Sequence, residues 1–231
     1  MTVLTRPQII LLGFLALTGA AGGMIADVFS LWIPEPEILS RTDQHITVHF
    51  YDLLAQKTSS NLWLGSILGI LLLPLHMCGF YLMAVALRPG GKLRASLFFA
   101  LASFTAAIGS GFHGSIAFVG ETALAGELDL FLQQMDLFIP WWWMLTSGFI
   151  IISILLIMLI LISPTLYPKS CILWSPGITA FILSIIVLTV NAVTQENGVT
   201  WFLMICGINL PLWIFHAVTT WVVFRKQPLA E

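Results

Sequence analysis

Phe149-Ile150-Ile151-Ile152-Ser153-Ile154-Leu155-Leu156-Ile157-Met158-Leu159-Ile160-Leu161-Ile162 contains no charge and a single hydroxyl. The uncharged run around it extends over residues 138–163. A helix needs about 20 apolar residues to cross a hydrocarbon layer of roughly 30 Å. This stretch therefore reads as a membrane-spanning helix, and it sets the class of the whole chain. Working outward, five more stretches meet the same length requirement, near 9–33, 62–87, 95–119, 172–193 and 200–224.

The composition agrees with that reading. Apolar residues make up 58% of the chain and charged residues 9%, with a mean hydropathy of +0.98. A water-facing domain carries about 25% charged residues, so most of this surface has to face lipid. The nine tryptophans and 16 phenylalanines fit a protein with aromatic belts at the membrane interfaces. A net charge of −2 without a basic run gives no footing for nucleic acid. The fold expected is all-α: one domain over residues 1–231, a six-helix transmembrane bundle with the lipid bilayer as its first partner. The small residues from Gly19 to Gly23 are compatible with a signal-peptide cleavage region. The apolar run nevertheless continues to Ile33, so an uncleaved first helix is expected.

Charge orients the helices. With the N-terminus inside, Arg6, Arg88, Lys92, Arg94, Lys169, Arg225 and Lys226 lie on one side, and only Arg41 and Lys57 on the other. Basic residues concentrate on the cytoplasmic side of membrane proteins, so both termini are expected there. The turn Arg88-Pro89-Gly90-Gly91-Lys92 joins two spans tightly. Residues 34–61 and 120–137 form longer outer segments of mixed polarity, expected to lie along the interface or to cap a cavity.

Ionisable residues inside the spans narrow the search for a site, because each costs roughly 2.5–3.5 kcal/mol at a helix centre on insertion scales. Asp27 and His113 fall about six residues from the outer ends of their helices, ~9 Å deep at 1.5 Å per residue. His76 and His216 lie deeper, at about 21–24 Å by the same count. Asp27 beside His113 would orient the imidazole and raise its basicity, as for a general base or metal ligand. His113 sits in Gly109-Ser110-Gly111-Phe112-His113-Gly114-Ser115, where small residues admit either a neighbouring helix or a ligand. Asn191, Glu196 and Asn209 lie near the same outer side and would extend a polar cavity. Trp141-Trp142-Trp143 reads as an interfacial anchor.

Two cofactors come into view. His45 and His49 are four apart, the spacing at which one helical face presents two imidazoles to zinc, and Asp52 follows three residues later. Together with His113, and with Asp27 or Asp52, they would supply a zinc set; the alternative is that His45 and His49 face headgroups. His76 and His216, at similar depth on two helices, could instead provide both axial ligands of a b-type haem; the preferred alternative is two histidines hydrogen-bonded within the bundle. The three cysteines, Cys78, Cys171 and Cys206, have no metal-binding spacing and read as packing residues.

Pro74-Leu75-His76-Met77-Cys78-Gly79-Phe80-Tyr81, Leu87-Arg88-Pro89-Gly90-Gly91 and Gly111-Phe112-His113-Gly114-Ser115-Ile116-Ala117-Phe118 resemble a family of bacterial six-helix membrane proteins, a domain of unknown function. Asp27, late in the first helix, is similar as well. The resemblance implies a layout and a bacterial origin, and no activity; the architecture expected is a six-helix bundle in a bacterial inner membrane. The sequence does not match alkaline-ceramidase-like membrane hydrolases, whose H-x-x-x-H in a late helix is missing here. The function expected is an outward-opening intramembrane site built on Asp27 and His113, acting on a lipid-like substrate by acid–base or metal-assisted chemistry. The alternatives are a proton-coupled transporter using Asp27, His113 and His76, and a non-catalytic assembly or sensor protein.

Overall fold

A computed structural model describes residues 4–33, 46–194 and 197–226. Among these residues the structure is helical, with no strand. Helix α1 (Arg6–Leu31) starts with Pro7 in its first turn, where a missing N–H costs nothing. The Thr5 amide donates to Gln8 Oε1 at 2.9 Å. At its other end the orphan carbonyls of the last turn find specific donors. Trp201 Nε1 donates to Leu31 O at 2.8 Å, and Lys57 Nζ donates to the carbonyls of Val28 and Trp32.

Helix α2 (Ile46–Ala55) buries Leu53 and Leu54. Thr58 then caps α3 (Ser59–Leu72), accepting from the Asn61 amide at 3.2 Å. Pro74 cannot donate to the helical ladder, and residues Leu73–Leu75 tighten into a 3₁₀ turn before α4 (His76–Leu87). The turn at Arg88–Gly90 closes with Gly91 at φ 122°, a left-handed value that glycine adopts without strain. Helix α5 (Lys92–Leu124) leads to α6 (Leu128–Ile162) through a short turn in which Gly126 has φ 77°. After a 3₁₀ segment at Lys169–Trp174, Pro176 opens α7 (Pro176–Thr194). Helices α8 (Gly198–Ile205) and α9 (Asn209–Lys226) meet at a 60° bend.

Five helical segments are long and apolar enough to cross a membrane, and the bent α8–α9 pair makes a sixth if it counts as one span. Residues 120–137 differ from expectation. They complete two long helices: α5 runs to Leu124, and α6 begins at Leu128, ten residues before the expected start of its span. At 1.5 Å per residue α6 is ~52 Å long, well beyond a hydrocarbon thickness of about 30 Å. The mixed pattern of Leu128-Asp129-Leu130-Phe131-Leu132 is an amphipathic helix packed on protein, burying Phe131, Met135 and Phe138. Of the segment 34–61, residues 34–45 lie outside the described residues.

Two apolar cores form. At the end carrying Arg6, Arg94 and Lys226, a cluster gathers Ile9, Phe80, Phe98, Leu156, Phe215 and Val222. At the far end, Leu54, Leu62, Phe112, Ile116, Phe131 and Phe138 form a second. Deleting a buried leucine such as Leu156 or Leu62 would leave a cavity costing about 2–5 kcal/mol. The groups that link the two cores are polar.

Candidate intramembrane proton site

His113 lies on α5, against Gly69 of α3. A Cβ at Gly69 would come within 2.4 Å of the His113 ring, so only glycine lets the two helices close here. The other side of the ring meets α1: His113 Nε2 is 3.3 Å from Asp27 Oδ1. The two residues expected to pair are therefore in contact, and both are buried, at 3% and 5% exposure.

The contact does not stop there. Asn209 is the first residue of α9, placed by the break after Ile205. Its Nδ2 donates to Asp27 Oδ2 at 2.8 Å, and its Oδ1 stands 3.2 Å from His76 Nε2. His76 is itself the first residue after the Pro74 turn. His76 Nδ1 then meets His216 Nε2 at 2.9 Å. An unbroken chain thus runs His113–Asp27–Asn209–His76–His216, drawn from α5, α1, α9 and α4. The pairs sequence analysis set at two separate depths are joined through Asn209.

Helical periodicity explains how the chain is seated. Gly23 lies one turn before Asp27, and Gly79 one turn after His76, each on the face of its polar partner. A Cβ on Gly23 would lie 2.6 Å from Asn209 Oδ1, and one on Gly79 only 2.1 Å from His216 Nδ1. Overpacking at such positions costs about 1–3 kcal/mol. The rings also stack into both cores. His76 and His216 contact Phe80 at centroid distances of 5.9 and 5.6 Å, and His113 contacts Phe112 at 5.6 Å.

The hydrogens have a direction. With the amide nitrogen toward Asp27, Asn209 Oδ1 must accept, so His76 carries its proton on Nε2. Its Nδ1 is then an acceptor, and His216 donates from Nε2. His113 likewise donates from Nε2. Every hydrogen in the chain points toward Asp27, as suits an ionised carboxylate. Asn209 also stands at the positive N-terminal end of α9, which favours a negative charge alongside. At the two ends of the chain, Nδ1 of His113 and Nδ1 of His216 are buried, with no hydrogen-bond partner among the described residues.

Among the described residues neither cofactor set assembles. His45 lies outside the described residues. Among those described, no group of three His, Cys, Asp or Glu side chains could hold a metal ion, so His49, Asp52 and His113 do not converge. The reason is the docking of α2. It meets the bundle through rings, Phe50 on Phe138 at 6.0 Å and Tyr51 on Phe131 at 5.1 Å, while Phe138 in turn packs on Phe112 at 4.7 Å. For haem, nitrogens on opposite sides of a metal stand about 4 Å apart, given metal–nitrogen bonds near 2.0–2.1 Å. His76 and His216 are in direct contact at 2.9 Å, so their rings do not fit an intervening iron.

Small residues around His113 are used for helix packing. Gly111 receives Trp141 and Gly114 receives Ile70. Trp142 packs on Phe112 at 5.5 Å, so Trp141 and Trp142 meet α5 beside the site, while Trp143 is exposed. Glu196 lies outside the described residues, and Asn191 is on the peripheral α7. The three cysteines are free thiols. Of the chain's five members, Asn209 is the one whose role sequence reasoning missed. Two signals were available: Pro211 just after it, marking a helix start, and its spacing of seven residues from His216, which puts both on one helical face. Comparison with family models, curated proteins and solved structures finds no match for this chain.

Proposed function

We propose that the protein is a proton-coupled carrier in a bacterial inner membrane, with cytoplasmic termini and six spans, moving a small amphiphilic solute. The observation that carries this reading is the unbroken chain from His113 to His216, held by two spans that are interrupted at the residues entering it. Ionisable groups within a membrane are costly, and they mark proton relays and ion routes. Interrupted helices meeting at a buried charge are a recurrent feature of secondary transporters. Here Asn209 and His76 each follow a break, and they bond to each other across it.

The protein's chemistry divides at Asn209. Asp27–His113 and His76–His216 are two proton-holding pairs. An amide passes a proton onward only by exchanging its two ends, so Asn209 links the pairs without short-circuiting them. Rotation of that amide would reverse the hydrogens and require a neutral Asp27. Proton movement is thereby tied to a change of side-chain arrangement, as coupled transport demands.

An acid–base enzyme acting on a lipid-like substrate is the second reading. One observation favours it: His113 is oriented by a carboxylate at Nε2, and its Nδ1 is free to take a proton. The continuation to His216 gives the carrier reading precedence. The test is proton uptake into proteoliposomes under an imposed potential, followed with an internal pH dye. Wild-type protein should carry protons above the rate of empty vesicles, and Asp27→Asn should not. Equal rates for wild type and empty vesicles would remove the proposal.

A further inference from the structure

We propose that the chain holds one proton at a time, either on His113 or on the His76–His216 pair, with Asp27 as their shared counter-charge. This rests on the proton-handling reading above and specifies how that site is occupied. Two ring nitrogens can accept a proton without breaking any bond: the unpartnered Nδ1 atoms of His113 and His216. In each case the proton adds to a ring lone pair, and on release it returns to water.

The two places compete. A proton on His113 makes an imidazolium whose Nε2–H faces Asp27 Oδ1 at 3.3 Å, and the charge there is neutralised. A proton on His216 makes a cation shared with His76 across their 2.9 Å contact, and that charge reaches Asp27 through the Asn209 amide. One carboxylate serves both. A second proton would leave the chain with a net positive charge in an apolar interior, which is unfavourable inside a bilayer.

The neighbouring titratable groups do not supply another counter-charge. Beside the end of α1 the Lys57 ammonium, a cation, donates to the carbonyls of Val28 and Trp32. Beside α8 the Cys206 thiol lies 4.0 Å from the Met24 carbonyl. Cys78 is a free thiol two residues beyond His76 on α4. On the far side of His216, the Tyr167 hydroxyl is bonded to Thr219 at 2.8 Å. The one further acid on α5, Glu121, accepts from the Ser59 hydroxyl of α3, two turns beyond His113.

The test is ¹⁵N-histidine NMR of the full chain in lipid nanodiscs across a pH titration, with signals assigned by single substitutions. Ring nitrogen shifts distinguish each tautomer and the cation. One proton should be taken up over His113, His76 and His216 together. His113→Gln should raise the midpoint of the His76–His216 pair by about one pH unit, a tenfold gain in proton affinity. In an Asn209→Leu background the same substitution should no longer move that midpoint. Should His113→Gln misfold, His113→Asn supplies the same test, since it too removes the competing imidazole. An unmoved pair midpoint in His113→Gln, or two protons bound in one pH range, would overturn the proposal. Exclusive protonation without proton flux would sink the carrier reading alone, and flux with independent protonation would sink this inference alone.

Discussion

Replacing Asn209 with leucine keeps the branched four-atom outline of the side chain, with larger methyl ends, and removes both of its hydrogen bonds. The bond to the Asp27 carboxylate, 2.8 Å long, is of the charged kind, for which about 1.5–3 kcal/mol is typical, against roughly 0.5–1.5 for a neutral bond such as that from His76. Interhelical bonds in bilayers run lower, averaging ~0.6 kcal/mol, because polar groups find other partners in the unfolded membrane state. Asp27 has little such freedom: it is 5% exposed, and its other oxygen already faces His113. The expected destabilisation is therefore about 2–4 kcal/mol, dominated by the charge. Reversible unfolding in mixed micelles, followed by tryptophan fluorescence, measures it. Repeating the substitution in an Asp27→Asn background isolates the cause. With no carboxylate to satisfy, Asn209→Leu should then cost no more than about 1.5 kcal/mol, and the double-mutant cycle should give a coupling of at least about 0.5 kcal/mol. An equal cost in both backgrounds would mean that Asn209 does not serve an ionised Asp27.

Gly79→Ala would place a Cβ 2.1 Å from His216 Nδ1; it should destabilise by about 1–3 kcal/mol and displace the His216 ring signals in NMR. Burial lowers the Lys57 ammonium from 10.5 to about 8, so between those values the unfolded chain holds a proton that the folded chain has released. Thermal stability should accordingly rise with pH across that window, and Lys57→Met should flatten the slope. For the sidedness, a single cysteine at Gly90, in a variant lacking the native cysteines, should react with an impermeant thiol reagent only after the cytoplasmic face is opened; labelling in intact cells would invert the proposed orientation.

Most of the fold was legible because a bilayer imposes length. The spans near 9–33, 95–119 and 172–193 come within a few residues of α1, α5 and α7 at most of their ends. Where sequence reasoning departed from the structure, the cause was an ambiguity of pattern. Leu128-Asp129-Leu130 looks the same whether a helix lies on lipid or on protein, and it was the buried Phe131 and Phe138 that decided the matter. The Asp27–His113 pair was legible from matched depth, since few buried acids and bases can satisfy one another. Asn209 was legible only as a residue near the polar cavity and not as the link between the pairs, because an uncharged amide carries no large membrane penalty to mark it. Its place depends on the 60° bend, a tertiary feature that Gly207 and Pro211 only hint at. The described members of the zinc set, His49, Asp52 and His113, stay apart for a related reason. H-x-x-x-H fixes two imidazoles on a face, but the aromatic side chains of α2 determine where that face docks.

His76 offers the sharpest experiment, because it belongs to the chain yet touches neither Asp27 nor His113. His76→Gln leaves the Asp27–His113 pair and its Asn209 contact in place while cutting the connection to His216. Proton flux into proteoliposomes should fall to the level of empty vesicles in this variant, as it should for Asp27→Asn. Wild-type flux in His76→Gln, with loss only in Asp27→Asn, would contradict a continuous route and leave an isolated Asp27–His113 pair.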